Sequence, residues 1–280
     1  MTTKSARYDL FAVVLALVAG VTSLPAADVV AQAREILSRN QASLVTVSAL
    51  SKLDLGAGMG AMGLGGLGEA QETTCAGLVI DESGLTVVSY TALNPMDRIS
   101  GALGQQLGED VTQAKPKTEV SRVQMRLPDG TEFPARLVLK DKELDLAFLV
   151  PDPKEGDKKP TLTPTKVATD VAAQELDDVV VLSRHGKEFG YAPGVTLSKI
   201  TSVIKKPRPL YDLSVMPRPG APVFLPDGRW LGVTVTLVSS EPGLLGMGEG
   251  EMLVLPASEV AKAAEQARKA AEKKSSKSDK

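Results

Sequence analysis

Few side chains in this chain are equipped for covalent chemistry, and their spacing limits which reactions are open. There is one cysteine, Cys75, and one histidine, His185. A thiol nucleophile needs a base to take its proton, and the only imidazole sits in a distant stretch, SRHGKEFGY. Cys75 opens the apolar segment CAGLVI and reads as a buried thiol. His185 reads as a histidine of a surface turn and is assigned no role. A single cysteine forms no internal disulfide. Methionines cluster in GAGMGAMGLGGLG (56–68) and GLLGMGEGE (243–251), and thioethers bind soft metals. These stretches hold no histidine and place glycine between nearly every methionine, so they read as surface loops. No metal site and no cofactor is expected.

Two further stretches stand out. LDLAFL contains the carboxylate Asp145. PRPGAPVFLPDGRWLGV is a tight Pro/Gly loop, Pro217–Pro222, followed by a hairpin with a Pro-Asp-Gly turn at Pro226–Gly228. The nearest serine, Ser214, belongs to the strand before that loop.

The elements that must position these residues follow from periodicity. DVVAQAREILSRN (28–40) has apolar residues at helical spacing. Short strands then recur with turn residues about every ten positions, as in a sandwich or barrel. They fall at 43–49, 75–80, 85–91, 123–127, 133–141 and 146–150. DESG (81–84) and PDG (128–130) join neighbouring strands as hairpins. A polar, proline-rich segment begins at PDPKEGDKKPTLTP, and residues 151–176 read as linker and crossover. Six more strands follow at 179–183, 194–204, 211–216, 222–225, 230–237 and 252–256. The expected class is all-β: two six-stranded antiparallel β-barrels, 43–150 and 177–256, with a short N-terminal helix in 28–42. The end, 257–280, is an alanine-rich helix and a basic tail; the weak stripe Val260, Ala264, Ala267, Ala271 suits packing on a barrel better than membrane insertion.

Of the 280 residues, 43% are hydrophobic and 24% charged, with a formal net charge of −2. With no basic block, nucleic acid is not an expected partner. Lys4 and Arg7, an apolar run from Leu10 to Val21 and the small residues after it read as a signal peptide over 1–27, placing the mature chain in a periplasm or outside the cell. An uncleaved N-terminal anchor is the alternative.

Six strands, a linker, six strands and a closing helix resemble the plan of the trypsin-like (chymotrypsin-fold, peptidase S1) serine proteases, most nearly the HtrA/Deg type. CAGLVIDESGLTVVSYTAL, KDKELDLAFLV, ELDDVVVLSRHG, PGAPVFLPDGRWLGV and EMLVLPASEVAKAAEQ resemble that family's segments in order across 43–265. No PDZ domain is expected after these segments. The resemblance implies a serine, a histidine, an aspartate and two backbone N–H donors for the oxyanion. The histidine position is Thr91, and no histidine occurs anywhere before His185. The aspartate position, Asp145, is kept; it reads as a triad remnant or as a carboxylate satisfied by backbone N–H groups. The serine position is Pro219, and the oxyanion donors fall on Pro217 and Pro219, which have no N–H.

The expectation is therefore a secreted or periplasmic pseudoprotease that binds peptide or protein ligands without cleaving them, by strand addition at edges near 211–216 and 230–238. A serine-type endopeptidase with an unconventional site, and a structural envelope β protein, are the alternatives. Oligomeric state is not set by the sequence.

Overall fold

The computed structural model describes residues 26–54, 69–98, 117–154, 156, 160–215, 217–242 and 248–278. Almost all of the expected signal segment lies outside these residues, as do the loop 56–68 and residues 243–247.

Turn chemistry and alternation build the molecule. Helix α1 (Ala26–Asn40) leads into β1 (Leu44–Asp54), β2 (Gln71–Val79) and β3 (Thr86–Ser89), then a one-turn helix α2 (Tyr90–Leu93). Strands β4 (Lys117–Arg126), β5 (Glu132–Asp141) and β6 (Leu146–Pro151) complete the first set. The second set is β7 (Asp178–Arg184), β8 (Pro193–Ile204), β9 (Leu210–Leu213), β10 (Pro222–Phe224), β11 (Trp230–Pro242) and β12 (Gly248–Pro256), and helix α3 (Ala257–Ser278) ends the described chain. Each set closes into an antiparallel barrel. The orders are β1-β2-β3-β6-β5-β4 and β7-β8-β9-β12-β11-β10, so the two barrels share one topology.

Both Pro-Asp-Gly turns make the same bonds. Gly130 N–H donates to Leu127 and Gly228 N–H to Leu225, with φ of 91° and 87° that suit glycine. At the β2–β3 turn the Asp81 carboxylate accepts from Ser83 N, Ser83 Oγ and Leu85 N, fixing the reversal.

Apolar side chains gather in three places. One cluster fills the first barrel (Val47, Val88, Leu93, Met125, Leu149 among others) and another the second (Val181, Ile200, Val223, Leu231, Val254). The third lies between them and takes Leu44, Leu78 and Phe148 from one side and Phe224, Trp230 and Val235 from the other. Both long helices cover this seam, α1 through Ala33 and Ile36 and α3 through Val260, Ala263, Ala264 and Ala267. Alternation explains the division: successive residues of a strand face opposite sides, one into its barrel and one into the seam. Arg268 on α3 also binds Asp81 at 2.9 Å, pinning the helix to the first barrel.

The expected strands are present, with shifts at their ends. β1, β2 and β4 run further than their apolar stretches, because pairings such as Ser51 with Gln71 and Asp54 with Lys117 extend the ladders through polar residues. Residues 90–91, expected as strand, turn into α2 because Ser89 Oγ accepts the Ala92 N–H and caps a helical turn. β9 stops at Leu213 rather than 216. Among the described residues, no helix is long and apolar enough to cross a membrane.

Candidate functional site

A cleft of about 240 Å³ opens where the barrels meet. β1 and β2 contribute Thr46, Thr74, Cys75 and Ala76, and α2 contributes Thr91 and Ala92. From the second barrel come Ser183, Arg184, His185 and Gly186 at the end of β7, and Arg218, Pro219 and Ala221 from the loop before β10. A more polar groove of about 330 Å³ continues from it, sharing Thr46, Thr74 and Gly186 and reaching Glu72, Arg126, Glu132, Lys187, Glu188 and Tyr191.

Thr91 and Pro219 therefore face the same cleft, although they are far apart in sequence. Asp145 lies behind them, 1% exposed and with φ of 55°. Its carboxylate accepts from Thr91 N at 2.6 Å, Ser89 Oγ at 2.7 Å and Thr236 N at 2.7 Å. Two of these donors are backbone N–H groups. The third, Ser89, is itself the acceptor of the Ala92 amide, so one hydroxyl relays between the helix cap and the carboxylate. Asp145 thus ties β3, α2 and β11 together, and three donors meet the desolvation cost of its charge.

The Pro217–Pro222 loop is held just as firmly. Thr234, fully buried in β11, donates its hydroxyl to the Arg218 carbonyl at 2.7 Å and accepts the Ala221 N–H at 2.8 Å. Gly220 N–H donates to the Thr234 carbonyl at 2.7 Å. Gly220 has φ of 83°, and a Cβ there would come within 3.1 Å of Ser89 N and 3.2 Å of the Ala76 carbonyl. A Cβ would press this backbone of the first barrel back by a few tenths of an ångström, and the positive φ itself favours glycine. Pro219 offers the cleft a ring in place of an amide hydrogen.

Two residues that the sequence left apart are brought to this cleft. Cys75 is half-buried and packs against the first barrel's core; desolvation, with the Asp145 charge second, pushes its thiol up to about 12, so the protonated form prevails near neutrality. His185 stands exposed in the turn after β7, its ring 5.7 Å edge-on from Phe189. Ser183 Oγ and His185 Nε2 lie 2.6 Å and 3.6 Å from where a Gly194 Cβ would stand. Among the described residues no hydrogen bond joins that hydroxyl to that imidazole. Ser214 is remote from the cleft lining, its hydroxyl bound to Ser198 Oγ and the Lys199 N–H.

Arg184 fastens the cleft wall. Its Nε donates to the Leu44 carbonyl at 2.8 Å, and its two Nη groups donate to the carbonyls of Tyr191 and Gln41, each at 3.0 Å. Burial lowers its affinity for the proton, though a guanidinium stays charged. Neither this latch nor the roles of Ser89, Thr234 and Thr236 had a signal in the sequence, since each depends on partners from other elements.

Of the two edges expected to accept a strand, the one near 211–216 has Tyr211 paired on both sides, with Val203 and Val254. β11 differs. Its pairing with β10 ends at Val233, while its pairing with β12 continues through Val238. Thr234 and Thr236 direct their N–H groups away from β12, to Ala221 and Asp145. By the two-residue alternation of an antiparallel strand, the Thr236 carbonyl and both backbone groups of Val238 face the same way. No group of His, Cys, Asp or Glu able to hold a metal ion occurs among the described residues. No protein-family model and no curated protein sequence matches the chain.

Proposed function

We propose that this double barrel is a trypsin-like pseudoprotease of the HtrA/Deg kind, working in a periplasm or outside the cell, that binds extended peptide or protein segments without cleaving them. The observation that carries the reading is the meeting of Thr91 and Pro219 at one cleft, with the Asp145 carboxylate behind Thr91. The frame for acyl transfer is assembled, and its moving parts are replaced by a hydroxyl and a ring. A threonine hydroxyl is no base near neutral pH, and Pro217 and Pro219 supply no N–H for an oxyanion. Asp145 then has a structural task, which its three donors describe.

Binding would use the β11 edge. A segment laid beside Thr236–Val238 gains main-chain hydrogen bonds from groups that β12 does not use. The experiment has two arms. The purified chain is incubated with an unfolded protein and, separately, with a serine-directed fluorophosphonate. The reading expects binding, no new fragments and no covalent adduct; fragments or an adduct would contradict it.

A second reading, an endopeptidase with an unconventional site, is favoured by one observation: Ser183 and His185 share a face at the cleft. An adduct lost in Ser183→Ala would establish it.

A further inference from the structure

We infer that the cleft at the barrel junction is selective for a carboxylate, presented by an acidic side chain or by the C-terminus of a peptide; this rests on the peptide-binding reading above. Among the described residues, the lining contains Arg184, Arg218, His185, Thr46, Thr74, Thr91 and Ser183, and no Asp or Glu.

Among the described residues, no ion pair joins a carboxylate to Arg184 or Arg218. Arg184 spends its donors on three carbonyl oxygens, which carry only partial charge. A half-buried cation held by dipoles alone gains from an anion brought close, because water screens it poorly. Arg218 is exposed, and among the described residues no carboxylate pairs with it. Asp145 sits behind the wall with its carboxylate occupied by Ser89, Thr91 and Thr236, and Glu188, whose carboxylate lies 3.0 Å from where a Gly186 Cβ would stand, lines the adjoining groove. The adjoining groove has the opposite bias: Glu72, Glu132 and Glu188 outnumber Arg126 and Lys187, and Arg126 is already paired with Glu132 and stacked over Tyr191. Charge changes sign along one continuous channel. A planar carboxylate suits a guanidinium, with hydroxyls beside it to donate further.

Three labelled hexapeptides of otherwise identical sequence test this by fluorescence anisotropy on the full chain. One carries a central Glu and an amidated C-terminus, one a Gln and a free C-terminus, and one a Gln and an amide. Tighter binding of the Glu peptide by about tenfold or more, which is about 1.4 kcal/mol, supports the inference and assigns the side chain as source. The same gain for the free C-terminus supports it with the main chain as source. Arg218→Gln should remove most of the gain, and Arg218→Glu should reverse the order. Arg218 is exposed and its side chain is outside the loop's hydrogen bonds, so both variants should keep the wild-type circular dichroism. Equal binding of all three peptides, unchanged by Arg218→Gln, overturns the carboxylate selectivity and leaves peptide binding standing. Binding of none overturns both.

Discussion

The carboxylate of Asp145, on the first barrel, accepts the backbone N–H of Thr236, on the second, at 2.7 Å. The two residues lie far apart in the chain, yet this bond ties β11 to the first barrel. Loss of the acceptor should therefore be felt as stability. Asp145→Asn keeps the shape and tolerates the positive φ, but turns an NH₂ group toward an N–H or hydroxyl donor. It should cost about 1–3 kcal/mol of unfolding free energy, and Asp145→Ala, which strands three donors, more. Chemical denaturation of the two variants checks the order. Equal stability with wild type would mean the carboxylate holds nothing.

Thr234 makes a parallel prediction for the loop that carries Pro219. Thr234→Val conserves volume but deletes the hydroxyl bonding Arg218 and Ala221. With the site fully buried, a loss of about 1–3 kcal/mol is expected. Peptide binding should weaken along with it, since the loop forms one wall of the cleft. Thermal unfolding and anisotropy on the same sample separate the two effects.

The thiol of Cys75 should be slow to react. With its pKa raised from 9.0 to about 12, alkylation by iodoacetamide near pH 8 should run well below the rate in the denatured chain. The sign for stability follows from proton uptake. Between the unfolded and folded values the native state holds the extra proton, so this group's contribution is complete below pH 9 and is lost as pH rises toward 12. Cys75→Ala should flatten that part of the alkaline decline relative to wild type. A native-state alkylation rate equal to the denatured rate would contradict the burial argument.

Much of the architecture could be read directly, because strand periodicity and turn residues act locally. The two Pro-Asp-Gly turns and the apolar runs around them located the hairpins to within a residue or two. What escaped was polar or non-local. Lys52 and Asp54 extend β1 only because Glu119 and Lys117 lie across from them. The turn at Tyr90–Leu93 exists because Ser89 can cap it. At the site, Thr91, Asp145 and Pro219 could be singled out in the sequence, and the structure brings Thr91 and Pro219 to one cleft with the Asp145 carboxylate bonded to the Thr91 N–H. The gathering of Cys75 and His185 at the same cleft could not be read there, nor could the Arg184 latch, since tertiary placement alone creates them.

The edge of β11 yields a backbone test. Val238 N–H faces away from β12, so Val238→Pro removes one donor from the edge and leaves the β11–β12 ladder intact. Peptide affinity should fall about tenfold or more, with little change in stability. Unchanged affinity would place the ligand elsewhere.

Supplying a base and a nucleophile should not by itself create chemistry. Thr91→His with Pro219→Ser places a base and a nucleophile at the cleft, yet Pro217 still supplies no donor to an oxyanion. Turnover of a fluorogenic peptide should stay at background in that double variant. Adding Pro217→Gly is the change expected to raise it first.

The central claim, binding without bond cleavage, is met most directly by mass spectrometry of the wild-type chain after prolonged incubation with an unfolded protein. The account predicts that the unfolded protein co-purifies with the chain at its intact mass. Peptide fragments that accumulate with time and disappear in Ser183→Ala or His185→Ala would contradict it.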